Sequence, residues 1–110
     1  MITFNIPNRI TEANIQAEIY RRLYIENIPC YLEYKHEHSK FDIVILNQSK
    51  TTIIAIIEIK SKIKNINIIS CKKQFDKYSR YGLPLIYCNN CSQINNTIES
   101  IKDIYNNHIE

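Results

Sequence analysis

Thr51-Thr52-Ile53-Ile54-Ala55-Ile56-Ile57-Glu58-Ile59-Lys60 is the stretch that decides the fold of this chain. Its centre is apolar at every position and rich in β-branched residues. That is the pattern of a strand buried on both faces, as in the middle of a helix-covered sheet. The run ends on two charges, Glu58 and Lys60, spaced two apart. Side chains alternate along a strand, so these two share one face, with Ile54 and Ile56 before them, while Ile59 takes the other.

Outward from this strand, the flanking segments read as an α/β domain. Thr11 is suited to cap a helix over 12–25, where Ile15, Ile19 and Leu23 recur every four residues. Pro29 closes that segment. A short strand is expected over 30–35, a polar turn over 36–40, and an alternating strand over 41–46. Asn47 to Lys50 reads as a turn before the central strand. Residues 61–68 suit more than one state. A helix is expected over 69–81 with Gly82 as its stop, then a strand over 83–88. Asn89 to Cys91 forms a turn, and Ser92 can cap a last helix striped by Ile94, Ile98, Ile101 and Tyr105. The expected order is αβββαβα in one domain spanning all 110 residues. Three successive strands suggest hairpin pairing, and the later helix and strand a right-handed crossover.

A carboxylate and an ammonium at the end of a core strand are costly unless paired or bound to a metal. A strand running out into solvent would give the same sequence pattern. Asp42 adds weight to the first reading. It stands near the start of the preceding strand, on the face of Val44 and Leu46. In a hairpin, Asp42 and Glu58 lie together at the end away from the connecting loop. Two close carboxylates suit a hard cation such as Mg²⁺. Such an ion can offset phosphodiester charge and lower the pKa of an attacking water, and Lys60 can stabilise the negative charge that develops. At about 100° per residue, Glu12 falls within the apolar stripe of the first helix. It can serve that same site, or simply favour the positive end of the helix dipole.

The string Asp42…Glu58-Ile59-Lys60, preceded by a glutamate-bearing helix, resembles the PD-(D/E)XK nuclease superfamily. The run Glu12-Ala13-Asn14-Ile15-Gln16 is similar to the first helix of small VRR-NUC nucleases. Gln74-Phe75-Asp76-Lys77-Tyr78 resembles a Gln-xxx-Tyr motif of some branches, and archaeal Holliday-junction resolvases share the small size. The resemblance implies a restriction-endonuclease-like αβββαβα core, with a mixed four-stranded sheet flanked by helices. It implies a Mg²⁺-dependent endonuclease acting on DNA, with Mn²⁺ as a substitute ion. Asp42, Glu58 and the Ile59 carbonyl are then metal ligands, and Lys60 the base or stabiliser. Glu12 is an accessory acid, and Gln74 and Tyr78 support the site. The chain departs from the pattern where Phe41, not proline, precedes Asp42, and where the Gly-x-Pro-Asp run of VRR-NUC proteins is absent. A branched-DNA resolvase and a catalytically silent nucleic-acid-binding module with this fold are the alternatives. An interaction module with a merely solvated sheet end is a third.

The bulk composition fits this reading. Net charge is +3, yet residues 60–80 carry Lys60, Lys62, Lys64, Lys72, Lys73, Lys77 and Arg80 against Asp76 alone, seven minus one. Lys62, Lys64, Lys72, Lys73, Lys77 and Arg80 are thus candidate DNA-backbone contacts, although a solvated basic helix face would look the same. So small a core leaves little surface for recognition, so a homodimer or a specificity-giving partner is expected. Cys88 and Cys91 have metal-like spacing without a second ligand pair, so free thiols in a reducing compartment are expected. His36 and His38 fit a solvated turn better than a metal site. There is no bilayer-length apolar run and no signal-like start, which points to a cytoplasmic location.

Overall fold

The computed structural model describes residues 1–6, 11–60 and 81–109. Helix α1 spans Glu12–Ile25, and strands β1, β2 and β3 span Cys30–His36, Ser39–Leu46 and Ile53–Ile59. Strand β4 spans Leu85–Cys88, and after a 3-10 turn helix α2 spans Ile94–Asn106. The helix expected over 69–81 lies outside the described residues.

The four strands form one mixed sheet in the order β1-β2-β3-β4. The pairs β1–β2 and β2–β3 are antiparallel, whereas β3–β4 is parallel. The class is therefore α/β. The hairpin expected from the alternating strands is present, and the parallel partner arrives from the chain beyond residue 60.

The core has two layers. On one face, Ile15, Ile19 and Leu23 of α1 and Ile94, Ile98 and Ile101 of α2 pack on Ile43, Ile45, Ala55, Ile57, Ile59 and Cys88. On the other face, Phe41, Val44 and Ile56 are buried beneath Tyr34, Leu46, Ile53, Leu83 and Leu85. Strand β3 is thus covered on both sides, as its unbroken apolar run requires. Each isoleucine taken out of water there contributes roughly 1.5–3 kcal/mol.

Several boundaries differ from the sequence reading, each for a local reason. The central strand begins at Ile53 rather than Thr51, because Asn47 Oδ1 accepts from the backbone N–H of Thr51 (2.8 Å) and Thr52 (3.0 Å). That holds both threonines in the turn. Strand β2 begins at Ser39, because the β1–β2 turn needs only Glu37 and His38, with Glu37 at φ +54°. Strand β4 begins at Leu85 because Pro84 has no N–H to give, although its carbonyl accepts from Ile56 (3.0 Å). Asn90 caps the 3-10 turn over Cys91–Gln93, its side chain accepting from the Ser92 N–H (2.9 Å), and α2 starts after Gln93 with no side-chain cap, so Ser92 does not cap it. Ile54 packs with the helix-side cluster, not with Ile56. The ladder shifts register between Ile45 and Leu46, and the alternation shifts with it. Thr11 caps α1 as expected, its hydroxyl accepting from Asn14 N–H (3.3 Å).

Candidate active site at the sheet end

The register of β2 on β3 runs Ile45↔Ala55, Val44↔Ile56, Ile43↔Ile57. One step further along this ladder Asp42 meets Glu58. The two residues are joined by crossed bonds. Asp42 Oδ2 accepts from Ile59 N–H (2.8 Å), and Glu58 Oε1 accepts from Asp42 N–H at 3.4 Å. Lys60 follows at the strand end, where its N–H donates to the Cys88 carbonyl (3.0 Å). Its placement is thereby fixed by β4.

Glu58 is only 2 % exposed. Burial pushes its carboxyl up to about 8, and the charge and side-chain hydrogen bond of Asp42 push the same way. The Asp42 N–H and the Lys60 ammonium oppose the shift without cancelling it. At neutral pH the pair therefore holds one proton in preference to two adjacent charges.

Both β1 and β2 slip at this level. Phe41 and Val44 lie in one apolar cluster while Ile43 and Ile45 lie in the other, so Asp42 stands where strict alternation fails. On β1 the slip is at Glu33, whose backbone adopts φ +55°. Flanking it, Tyr31 and Tyr34 meet edge to face with centroids 6.0 Å apart. The left-handed residue aims the Glu33 carboxylate toward α1. There Gln16 Nε2 donates to Glu33 Oε1 (3.1 Å) and to the Asp42 carbonyl (2.9 Å). Lys40 Nζ closes the network 2.9 Å from Glu33 Oε2. Bonds from Lys40 and then Gln16 hold the Glu33 carboxyl below its ordinary value, and Glu33 raises the Lys40 ammonium in return.

Glu12, Ala13, Gln16, Glu33, Asp42 and Ile59 line a cleft of about 220 Å³ between the first turns of α1 and this sheet end. Glu12 stands exposed in the first helical turn and on the cleft wall. The apolar stripe of Ile15, Ile19 and Leu23 therefore does not carry Glu12 into the core. Asp42 and Ile59 line the cleft, whereas Glu58, which is buried, and Lys60 are not among its lining residues. Gln74, Tyr78, Lys62, Lys64, Lys72, Lys73, Lys77 and Arg80 lie outside the described residues.

Three members of this network had no role in the sequence reading. Gln16 is one helical turn after Glu12, a spacing that places the two on one face. Lys40 sits two residues before Asp42, on the same strand. Nothing in the sequence signals Glu33, because a glutamate at positive φ inside a strand has no marker of its own.

The donor set is hard oxygen: two carboxylates, with the Ile59 carbonyl next in the chain. Among the described residues no cluster of three or more His, Cys, Asp or Glu side chains is placed to hold an ion. A cation here would rest on the carboxylate pair and the backbone. Cys88 is buried, its thiol directed to the Asn90 carbonyl (3.6 Å), while Cys91 is exposed. His36 and His38 are exposed, and the His36 ring packs edge-on against Tyr81 at 5.6 Å. Among the described residues no helix is long and apolar enough to cross a membrane. Comparison with family models, with curated proteins and with solved structures returns no match.

Proposed function

We propose that this chain is a metal-dependent endonuclease of the PD-(D/E)XK type, hydrolysing phosphodiester bonds in DNA. The observation that carries the reading is the carboxylate pair. Asp42 and Glu58 are adjacent at one sheet end, with Glu58 buried and its carboxyl raised first by that burial and then by Asp42. Each carboxylate accepts a backbone hydrogen bond, but two charges side by side repel, and a hard cation turns that repulsion into attraction. The order of strands, antiparallel through β3 and parallel at β4, supports the restriction-endonuclease-like form of the α/β class.

Asp42 and Glu58, with the Ile59 carbonyl, would hold a Mg²⁺ ion, which when bound neutralises phosphodiester charge and acidifies an attacking water. For that, Glu58 gives up its proton, and the Lys60 ammonium already favours the charged form. Lys60 also stabilises negative charge as it develops on the phosphate. Gln16 fixes the Asp42 backbone from α1, so the carboxylate is aimed before substrate arrives. The basic residues between 60 and 80 attract the DNA backbone by charge.

The test is cleavage of supercoiled plasmid and of a four-way DNA junction with Mg²⁺, by the wild type and by Lys60→Gln. Wild type should cut, and the variant should cut more slowly by about 100-fold or more, the usual loss for removing one preorganised stabilising group. Cutting of the junction alone identifies a branched-DNA resolvase. DNA binding without cutting under Mg²⁺ or Mn²⁺ overturns the enzyme reading in favour of a silent binding module.

A further inference from the structure

The ladder between β1 and β2 is interrupted at one level. Leu32 pairs with Ile43 and Tyr34 with Phe41, but the register passes over Glu33 and Asp42, which stand between them. There the backbone of Asp42 is served by side chains. Its N–H donates to Glu58 Oε1, and its carbonyl accepts from Gln16 Nε2. The Asp42 carboxylate in turn fills a place that a strand carbonyl would take. On β3 the N–H groups of Ile56 and Lys60 donate to the carbonyls of Pro84 and Cys88, on the β4 side. Alternation turns the Ile59 N–H toward β2, and Asp42 Oδ2 accepts it at 2.8 Å.

Opposite Asp42, Glu33 adopts φ +55°. A glycine takes that conformation freely, whereas a residue with a side chain is strained in it. Accommodating the interruption therefore needs no glutamate, and the reason for one lies in what its carboxylate holds. Glu33 is exposed, yet both of its oxygens are engaged. Oε1 accepts from Gln16 Nε2 (3.1 Å), and Oε2 lies 2.9 Å from Lys40 Nζ. A glutamine amide nitrogen carries two hydrogens. In Gln16 one goes to Glu33 and the other to the Asp42 carbonyl. Glu33 thereby fixes which way the Gln16 amide is turned. The opposite orientation would set the amide oxygen against the Asp42 carbonyl, acceptor against acceptor. Lys40, two residues before Asp42 on β2, ties the same carboxylate to the strand that carries the acid.

We propose that Glu33 is a positioning residue for Asp42: its carboxylate orients the Gln16 amide, and Gln16 holds Asp42 in the interrupted ladder with its carboxylate on the Ile59 N–H. Glu33 acts through Gln16, because neither of its oxygens is left for another partner. Its strained backbone and its hydrogen bonds serve one end, since the first opens the ladder at Asp42 and the second fix what the opening exposes. That Asp42 so placed holds a cation rests on the nuclease reading, whereas its placement by Glu33 does not.

The test is the Ile59 amide signal in proton–nitrogen NMR spectra of the full chain in EDTA, with Asp42→Ala marking its position when the carboxylate is gone. Glu33→Gly keeps the backbone conformation and removes the carboxylate. It should keep its far-ultraviolet circular dichroism, because Glu33 is exposed and glycine suits φ +55°. Its Ile59 amide proton should nevertheless move upfield toward the Asp42→Ala position. Glu33→Gln, which retains an oxygen for Gln16, should leave that signal in place. Titration calorimetry with Mg²⁺ alone should show the affinity of Glu33→Gly lowered by about 10–100-fold, the usual loss when a partner behind a ligand is removed. An Ile59 amide unmoved in Glu33→Gly overturns the proposal, since Glu33 would then only accommodate the interruption. So does an equal shift in Glu33→Gln, which would trace the effect to the Lys40 ion pair. A wild type that binds no Mg²⁺ while the amide responds as expected overturns the nuclease reading and upholds the placement of Asp42 by Glu33.

Discussion

Replacing Glu58 by glutamine separates a metal-binding carboxylate pair from a structural one, because the two predict opposite effects on stability. The folded carboxyl titrates near 8, against 4.5 for an ordinary glutamate. Between those values the folded state keeps a proton that the unfolded state has lost. Stability is then complete below pH 4.5 and declines as pH rises toward 8, the reverse of a salt-bridged carboxylate. The slope is about 1.4 kcal/mol per pH unit, so the ceiling on the loss is about 5 kcal/mol. A domain of this size is stable by roughly 5–15 kcal/mol in total, so the metal-free protein should weaken markedly at alkaline pH. Glutamine keeps the volume of Glu58 and an oxygen for the Asp42 N–H, but it carries no charge. Urea denaturation in EDTA, followed by circular dichroism, should show the two proteins nearly equal at pH 5. At pH 8.5 Glu58→Gln should be the more stable by about 2–4 kcal/mol. On the proposed metal site, where the intact pair is needed to hold the ion, adding Mg²⁺ at pH 8.5 should restore the wild type with rising concentration and leave the variant unmoved. A wild type that gains stability as pH rises, or a variant that is weaker at pH 8.5, refutes the argument.

Two further outcomes follow from the same geometry. Gln16→Ala removes the bonds to the Asp42 carbonyl and to Glu33 and should cost about 1–2 kcal/mol in the same denaturation assay, a loss that Gln16→Glu should not repair, since its carboxylate cannot donate to either oxygen. Changing Lys72, Lys73 and Lys77 to glutamine should reduce the log–log salt slope of duplex DNA binding by up to about 2.7, three phosphates at about 0.9 each; an unchanged slope in a fluorescence titration would mean that these lysines are only solvated.

The periodic parts of this fold are legible in the sequence. Ile15, Ile19 and Leu23 set the buried stripe of α1, and the apolar run of β3 calls for cover on both faces. Hairpin geometry then puts Asp42 beside Glu58 without any long-range information, because the connecting turn leaves only one end for both. What alternation cannot reveal is where alternation fails. Glu33 takes a left-handed backbone, and with it both strands slip at the level of Asp42. The pairing of Gln16 with Glu33, and of Glu33 with Lys40, depends on that slip. The register shift near Leu46 likewise moves Ile54 to the helix side. The helix and strand ends moved for a related reason. Asn47 and Asn90 use their side chains to hold nearby N–H groups, and such competition is decided by local geometry, not by apolar pattern.

The parallel pairing of β3 with β4 has a consequence for the order in which the chain assembles. Two residues separate β1 from β2 and six separate β2 from β3, but residues 60–84, twenty-five in all, intervene before β4. Closing that longer loop costs about 2 kcal/mol more chain entropy than closing the two-residue one. Contacts made across short separations are reached first on the way to the native state. Sequence separation therefore favours forming the meander of β1, β2 and β3, with α1 laid against it, before β4 and α2 dock. Asp42, Glu58 and the Gln16–Glu33 bridge all belong to that early half. On that order the acids come together before the C-terminal strand docks, and the bond from the Lys60 N–H to the Cys88 carbonyl forms after them.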